Sequence, residues 1–448
     1  MSESMWRVAV VGAGPAGMYA ADALSKRDDV SVDIFDRVFA PYGLLRYGVA
    51  PDHPSIKGAS KPFDAVRGRA RVRFLGGVSY GDDIDLKTLQ AQYHAVVFAV
   101  GASSERRLGV PGEELCGIFS SRVFVEWYNG HPDMAEAIIP LDVKQAIVVG
   151  AGNVALDVAR ILARPTSDLG TTDIADHALA QLMHSEIERV HLFMRRGPLD
   201  VAFTFPELRA LAAMDGVYLE VDERDVEDIP PESPDAPRDR AVTRILEVLQ
   251  QSAKTAPPTK PHRTLQLHFN TSLVEAQGAH RLERVRARRN AVGADGRLLP
   301  VEGSEFELPA GLCISAIGYR GAPLADLPFD AAAGTIPSED AGAVLGVPGV
   351  WVTGWARRGP SGVIGTNKAD AVEVANAVLA TFAGLPPVRA PRALADEWPI
   401  SDEWWDRVDA IERQRGEPQG RPRVKFVAVE VAEQALLEQD DPGAQRRA

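Results

Sequence analysis

Val8 to Met18, VAVVGAGPAGM, decides how the rest of the chain is read. Its leading apolar residues predict a buried parallel strand that stops at Gly12, and the residues beyond, with no breaker before Leu24, predict a helix. Between strand and helix stand Gly12, Gly14 and Gly17. In such a unit the first glycine makes the tight turn, the second lets a pyrophosphate approach the backbone, and the third lets helix and strand pack closely. The helix N-terminus then receives the phosphates. A glycine-rich turn without a ligand is the competing explanation, but a second strand, Val30 to Phe35, ends at Asp36, where an acidic side chain takes ribose hydroxyls. That context favours a dinucleotide site.

The same pattern recurs at Ala146 to Ala155, AIVVGAGNVA, with Gly150, Gly152 and Ala155 in the three small-residue positions. Its second strand, Val190 to Met194, arrives late because a helical insertion, roughly Ile174 to Glu188, precedes it. Where the first fold has Asp36, this strand runs into Arg195-Arg196. An acid there would repel a 2'-phosphate, whereas a guanidinium pair grips it with charge-assisted bonds, so the second nucleotide is expected to be NADP, not NAD. A surface salt-bridge cluster is the alternative.

The remaining segments fit around these two folds. Ala40 to Lys57, APYGLLRYGVAPDHPSIK, holds too many prolines and glycines for a long helix and is expected as an ordered loop over the far end of the first dinucleotide. His53 within it has two readings: a histidine satisfied locally, or a group that steers protons or orients ligand beside a redox centre. Val72 to Leu75 and Val96 to Val100 predict strands. A turn at Pro111-Gly112, an amphipathic stretch at Phe124 to Tyr128, and strands at Leu265 to Phe269 and Leu282 to Arg288 follow. Leu312 to Gly318 repeats the apolar ending of Val97 to Gly101. Glu227 to Pro261 is rich in proline and charge with one helix, Arg240 to Gln251, and Arg238, Arg240, Arg244, Lys254, Lys260 and Arg263 cluster in sequence, by default on a solvated surface. Val350 to Ala371 reads as strand, glycine-rich turn and helix, the helix starting near Thr366. Such a helix start aimed at a flavin's pyrimidine edge stabilises the charge that develops on reduction. The segment with Trp398, Trp404 and Trp405 is expected as a surface-packed tail ending in polar disorder.

With 448 residues, 45% hydrophobic and 25% charged, the chain supports two or more domains with sizeable cores. No apolar run is long enough to span a bilayer and no signal segment is recognisable, which favours the cytoplasm. The two cysteines, Cys116 and Cys313, offer no CxxC pair, iron-sulfur ligand set or zinc knuckle, so no metal is expected and redox chemistry must come from an organic cofactor. A net charge of -13 argues against a general nucleic-acid binder.

From Val8 to about Lys425 the chain resembles the adrenodoxin-reductase-like branch of ferredoxin-NADP reductases, bacterial members in particular. GLLRYGVAPDHP, GAGNVALDVARIL, RRGPLDVAFTFPELR and GWARRGPSGVIGTNKADA carry the resemblance. It implies FAD held by Ala13, Asp36, Leu44, Val78, Trp355 and the backbone of Gly362, Val363 and Ile364. NADP would lie on Ala151, Gly152, Asn153, Val154, Arg195, Arg196, Glu207 and Gly362. In the wider two-dinucleotide flavoproteins a Gly-Asp pair meets the flavin's ribityl chain; here Trp355 follows Gly354, as in this branch. Ala210 stands where some relatives carry an acid.

The expected architecture is α/β, with two Rossmann-like domains, the second inserted in the first. FAD-binding parts would cover 1-103 and 321-425, the NADP-binding domain 104-320, and a polar tail 426-448. The expected activity is hydride transfer from NADPH to FAD, then single electrons to an acidic ferredoxin or similar iron-sulfur carrier, in a monomeric enzyme. A flavin monooxygenase, a diaphorase-type reductase of small acceptors and a non-catalytic flavoprotein are the alternatives. The cysteine count excludes a dithiol reductase.

Overall fold

The computed structural model describes residues 5–227, 229, 238–259, 262–362, 364–383, 398 and 400–440. The chain divides into two compact units, Met1–Arg106 with Gly318–Ala448, and Arg107–Ile317. Both boundaries fall three residues inside the expected 104-320. Ser104–Glu105 pairs antiparallel with Tyr319–Arg320, and the Arg106 N–H donates to Gly318 O at 3.2 Å, so the two crossing strands stay with the first unit.

The first unit is built on a five-stranded parallel sheet in the order Val350–Val352, Ala95–Phe98, Trp6–Val11, Val30–Asp36, Val72–Gly76. The strands are apolar on both faces because both are covered. On one side Met18, Ala21 and Leu24 of helix Pro15–Leu24 pack with Ala371, Val374 and Val378 of helix Thr366–Thr381. On the other, Leu86, Leu89 and Tyr93 pack with Ile336, Val344 and Val350. Strand Val350–Val352 joins the sheet beside Ala95–Phe98, so the late segment returns to complete the first fold.

The second unit has a six-stranded parallel sheet, ordered Ile118–Ser120, Leu312–Ser315, Gln145–Val149, Arg189–Phe193, Arg263–His268, Val217–Val221. An antiparallel sheet of Thr271–Gln277, Arg284–Val292, Leu298–Pro300 and Phe306–Pro309 accompanies it, with one register shift between Leu273 and Glu275. The expected insertion forms a shorter helix, Asp176–Met183. It stops early because the Glu186 N–H is taken by Leu141 O at 2.8 Å, which pulls the chain toward its next strand.

Two expectations about the C-terminal segment are corrected. Trp405 and Val408 of helix Asp402–Gly416 are buried in the first unit's core, and Ile400 bridges Gly76 at the sheet edge. The segment packs as structure, not as a surface tail. Residues 426-448 were expected to be polar tail, yet Phe426 is buried and helix Val429–Asp440 buries Ala432 and Leu436; 441-448 lie outside the described residues. The apolar spacing of Ala432 and Leu436, four apart, puts both on one face.

Candidate dinucleotide sites

The two glycine turns are built alike, bond for bond. In the first unit the Gly12 N–H donates to Phe35 O at 2.7 Å, Ala99 N–H to Val11 O at 2.7 Å, and Met18 N–H to Gly14 O at 2.9 Å. In the second, Gly150 N–H donates to Phe193 O at 3.0 Å, Ala316 N–H to Val149 O at 2.7 Å, and Leu156 N–H to Gly152 O at 3.2 Å. Each turn is also roofed from its third side. Tyr42 N–H donates to Ala13 O at 2.9 Å, and Ala202 and Phe203 N–H donate to Ala151 O at 2.8 and 3.0 Å.

This geometry separates the roles of the glycines. A Cβ on Gly12 would lie 2.5 Å from Ala99 O, and one on Gly17 would lie 1.9 Å from Gly12 O, so both positions are closed by backbone. Gly150 repeats the first conflict, 2.5 Å from Ala316 O, and Ala155 fills the third position fully buried. A Cβ on Gly14 or Gly152, by contrast, would meet nothing within 4 Å. Each opens helix Pro15–Leu24 or Asn153–Ala163, and neither helix has a side-chain cap, so the leading N–H groups are free for an anion. The open cradle and unspent donors are what a pyrophosphate requires.

Around the first turn the expected residues converge. Asp36 accepts from Ala13 N–H at 2.7 Å and from Val38 N–H at 3.1 Å, and Val78 N–H donates to Asp36 O at 2.9 Å. Burial pushes the Asp36 carboxyl above the usual range, against the pull of those two donors. Gly43, φ +48, brings its backbone so close that a Cβ would sit 3.0 Å from Gly14 Cα. Leu44 then starts the single-turn helix Leu44–Tyr47, and His53 precedes a second, Pro54–Lys57, with its N–H on Ala50 O. Gly354, φ +72, lies against helix Pro15–Leu24, where a Cβ would meet Ala16 Cβ at 2.7 Å. Trp355 stacks on Tyr319 with ring centroids 5.9 Å apart and donates from its indole to Ser361 O. Gly362, φ +84, turns the chain toward Ile364 and the uncapped helix Thr366–Thr381. Val363 lies outside the described residues.

Asp370 was missed by the sequence reading. Its Oδ2 accepts from Thr353 Oγ1–H at 2.9 Å and Gly354 N–H at 2.5 Å, and Arg357 donates to its Oδ1 at 2.8 Å. It supplies, from the following helix, a carboxylate at the turn where the wider flavoproteins place one immediately after the glycine. No local periodicity links Gly354 to a residue a whole loop and helical turn away.

At the second site Thr204 N–H caps onto Asn153 Oδ1 at 2.8 Å. Ala151 and Val154 flank the open Gly152. Glu207, in helix Phe205–Ala212, is held by Arg160 at 3.0 Å, whose other nitrogen binds Asp157 at 2.6 Å. The repeat also corrects a register. Phe193 corresponds to Phe35, so the position equivalent to Asp36 is Met194, and the arginines follow one and two residues later. Met194 is buried and neutral, which removes the acid all the same. Arg195 is exposed and its carbonyl accepts from Asn290 Nδ2 at 3.0 Å, while Arg196 donates to Gly296 O at 3.2 Å and lies 3.9 Å from Asp200.

The basic run divides. Arg238, Arg240, Thr243, Arg244 and Glu247 line a cavity of about 590 Å3 at the start of helix Arg240–Ala253, and Arg244 stacks over the Phe205 ring at 3.8 Å. Lys254 caps the far end of that helix, Lys260 lies outside the described residues, and Arg263 is buried, donating to Leu162 O. A larger cleft of about 820 Å3, lined by Leu115, Ile118, Ile138, Val143 and Arg281 among others, lies at the N-terminal ends of the strands, opposite the glycine turn. It takes no part in the nucleotide site. Cys116 is exposed and Cys313 buried, its thiol pushed by burial to about 12. Among the described residues no helix is long and apolar enough to cross a membrane.

Comparison with known proteins agrees with this construction. The Pyridine nucleotide-disulphide oxidoreductase family matches residues 6–196. NADPH-ferredoxin reductase FprA of Mycobacterium tuberculosis is 40% identical, with 94% of this chain and 97% of that protein covered. The mitochondrial NADPH:adrenodoxin oxidoreductase of Bos taurus is 38% identical, covering 94% and 90%. The solved structure of Mycobacterium tuberculosis FprA in complex with NADPH superposes with a TM-score of 0.89 at 39% identity, covering 96% of this chain and 98% of that one. Two like-built glycine turns, one followed by an acid and one by arginines, on a chain of which such relatives cover 94%, place this protein in the NADPH-ferredoxin and adrenodoxin reductase family.

Proposed function

We propose that the chain is a ferredoxin-NADP reductase, with FAD in the first unit and NADP(H) in the second. The observation that carries the reading is the pair of open glycine positions, Gly14 and Gly152, in turns that differ in the charge that follows them. Asp36 takes the ribose of FAD, while Arg195 and Arg196 take the 2'-phosphate of NADP(H). Bound together, the cofactors supply hydride transfer from NADPH to the flavin, which then releases electrons singly.

The chain's own residues bind, orient and cover. Ala13, Gly14, Leu44 and Val78 hold the adenine-dinucleotide end, and Trp355, Gly362 and Ile364 the flavin end. The uncapped start of helix Thr366–Thr381 favours the reduced, negatively charged flavin. His53, in the Ala40 to Lys57 loop that also carries Leu44, orients ligand beside the redox centre. On the second unit, Ala151, Asn153, Val154 and Glu207 seat NADP(H). No side chain acts as a nucleophile.

The carrier is an acidic ferredoxin-type protein that docks on Arg238, Arg240 and Arg244. Arg240 and Arg244 are one helical turn apart at a helix N-terminus, where like charges repel each other and oppose the macrodipole. A cluster that costs stability and faces a cavity fits an acidic partner. At physiological salt the screening length is roughly 8 Å, so this near patch outweighs the distant acids behind the net charge.

The test is direct. The purified chain should be yellow, NADPH should bleach it without oxygen, and ferredoxin should then pass electrons to cytochrome c. A flavin that NADPH leaves oxidised overturns the reading, and oxygen uptake tied to an organic substrate would make it a monooxygenase.

A further inference from the structure

The Ala40 to Lys57 loop, which straps the first glycine turn through Tyr42, is held from a distance. Tyr42, whose N–H binds Ala13 O, has φ +83, a conformation that L residues with side chains rarely adopt. Its hydroxyl donates to Asp64 and accepts from Arg67 Nε at 2.9 Å. Arg67, almost fully buried, in turn donates to Asp402 and Asp406, both at 2.7 Å, on helix Asp402–Gly416. Asp402 is itself fixed to the sheet edge by Phe74 N–H at 2.7 Å.

A second tie runs from the strap to the same helix. Arg46 donates from both terminal nitrogens to Glu412, at 2.9 and 2.5 Å, and its guanidinium lies over the Trp405 ring at 5.0 Å. Glu412 is fully buried and also accepts from Phe426 N–H and from Arg423. Asp402, Asp406, Asp409 and Glu412 are spaced four, three and three apart, so one helix face carries all four carboxylates. A buried ion pair is a poor source of net stability, since apolar residues of equal volume do as well; what it supplies is one geometry. Here the geometry supplied is that of Tyr42 and Gly43 against Ala13 and Gly14.

The geometry points to helix Asp402–Gly416 as a clamp on the flavin strap, with Glu412, Arg67 and Tyr42 as positioning residues that set how firmly FAD is retained. The inference rests on the assignment of FAD to this unit. It explains why a C-terminal segment far in sequence from the glycine turn is buried so completely: it holds a strained loop where a cofactor must pass beneath it.

The test measures FAD release from the full-length protein by recovery of flavin fluorescence, with visible circular dichroism of the bound flavin as the spectroscopic signature. Glu412→Gln and Tyr42→Phe each remove part of the tie, the second without changing the ring that stacks on Phe63. Loss of one charge-assisted bond should speed release about tenfold or more and alter the flavin signal. Far-UV dichroism and NADPH affinity of the second unit should be unchanged. Should Glu412→Gln fail to fold, Tyr42→Phe decides. Release within about twofold of the parent, in whichever variants fold, overturns the clamp. A parent chain that binds no FAD overturns the functional reading itself, which is a different result.

Discussion

Replacing Gly14 by valine separates the fold from its cofactor. Gly14 has φ -70 and ψ 179, an extended conformation open to any residue, and nothing lies within 4 Å of its Cβ position. Valine is a poorer helix N-cap, at roughly 0.5 to 1 kcal/mol. The lower entropy of the unfolded chain returns about 0.4 to 1 kcal/mol. The flavin-free protein should therefore be about as stable as the flavin-free parent. What changes is the space a pyrophosphate needs. A ligand present at a thousand times its Kd contributes about 4 kcal/mol to stability, and that term vanishes. For a unit of this size about 1 kcal/mol moves Tm by roughly 2 to 4 °C, so Tm with excess FAD should fall by about 10 °C. Gly17→Val is the contrast, since its Cβ would meet Gly12 O at 1.9 Å and the strand and helix cannot both stay in place. Thermal melts with and without FAD, with absorbance of the bound flavin, read out all three proteins. Gly14→Val should be folded and colourless, Gly17→Val insoluble. A Gly14→Val protein that keeps its full complement of FAD, or that collapses as Gly17→Val does, refutes the argument.

Removing Arg195 and Arg196 together with alanine should cut NADPH efficiency by about 10- to 150-fold per lost charge-assisted contact and leave NADH and FAD nearly unaffected; steady-state kinetics with both coenzymes check it, and an unchanged preference would put the phosphate elsewhere. Ferredoxin-dependent cytochrome c reduction should slow as salt rises while reduction of a small neutral acceptor changes less, and Arg240→Glu with Arg244→Glu should reproduce the high-salt rate at low salt. Unaltered ferredoxin kinetics in that variant would move the docking face. His191 and His268 lie 2.9 Å apart in the second unit, and burial pushes them down to about 3 and about 4. Because the unfolded chain takes up protons below about pH 6.5 and the folded pair does not, stability should fall as pH drops from there toward 4. His268→Phe, whose ring would lie between Phe193 and Phe306, should flatten the pH dependence of Tm over that interval; an unchanged slope would assign it to other groups.

What the sequence determined by itself is local. An apolar run, a glycine spacing and a helix start within a dozen residues are set by backbone sterics and hydrogen bonds between near neighbours, so both nucleotide turns, their strands and the return at Val350–Val352 were legible in Val8 to Met18, Ala146 to Ala155 and Val350 to Ala371. The tertiary structure decided what depends on partners far along the chain. It placed Met194, not an arginine, at the position of the second fold equivalent to Asp36 in the first, because strand register is fixed by pairing with neighbouring strands. It split one basic run into exposed Arg240 and Arg244 and buried Arg263, whose charge is solvated by the carbonyl of Leu162 instead of water. And it turned a charged, tryptophan-bearing tail into core: Glu412 reads as surface in sequence, since a lone carboxylate stays in water, and it is buried because Arg46, more than three hundred residues earlier, meets it together with Arg423 and the Phe426 N–H.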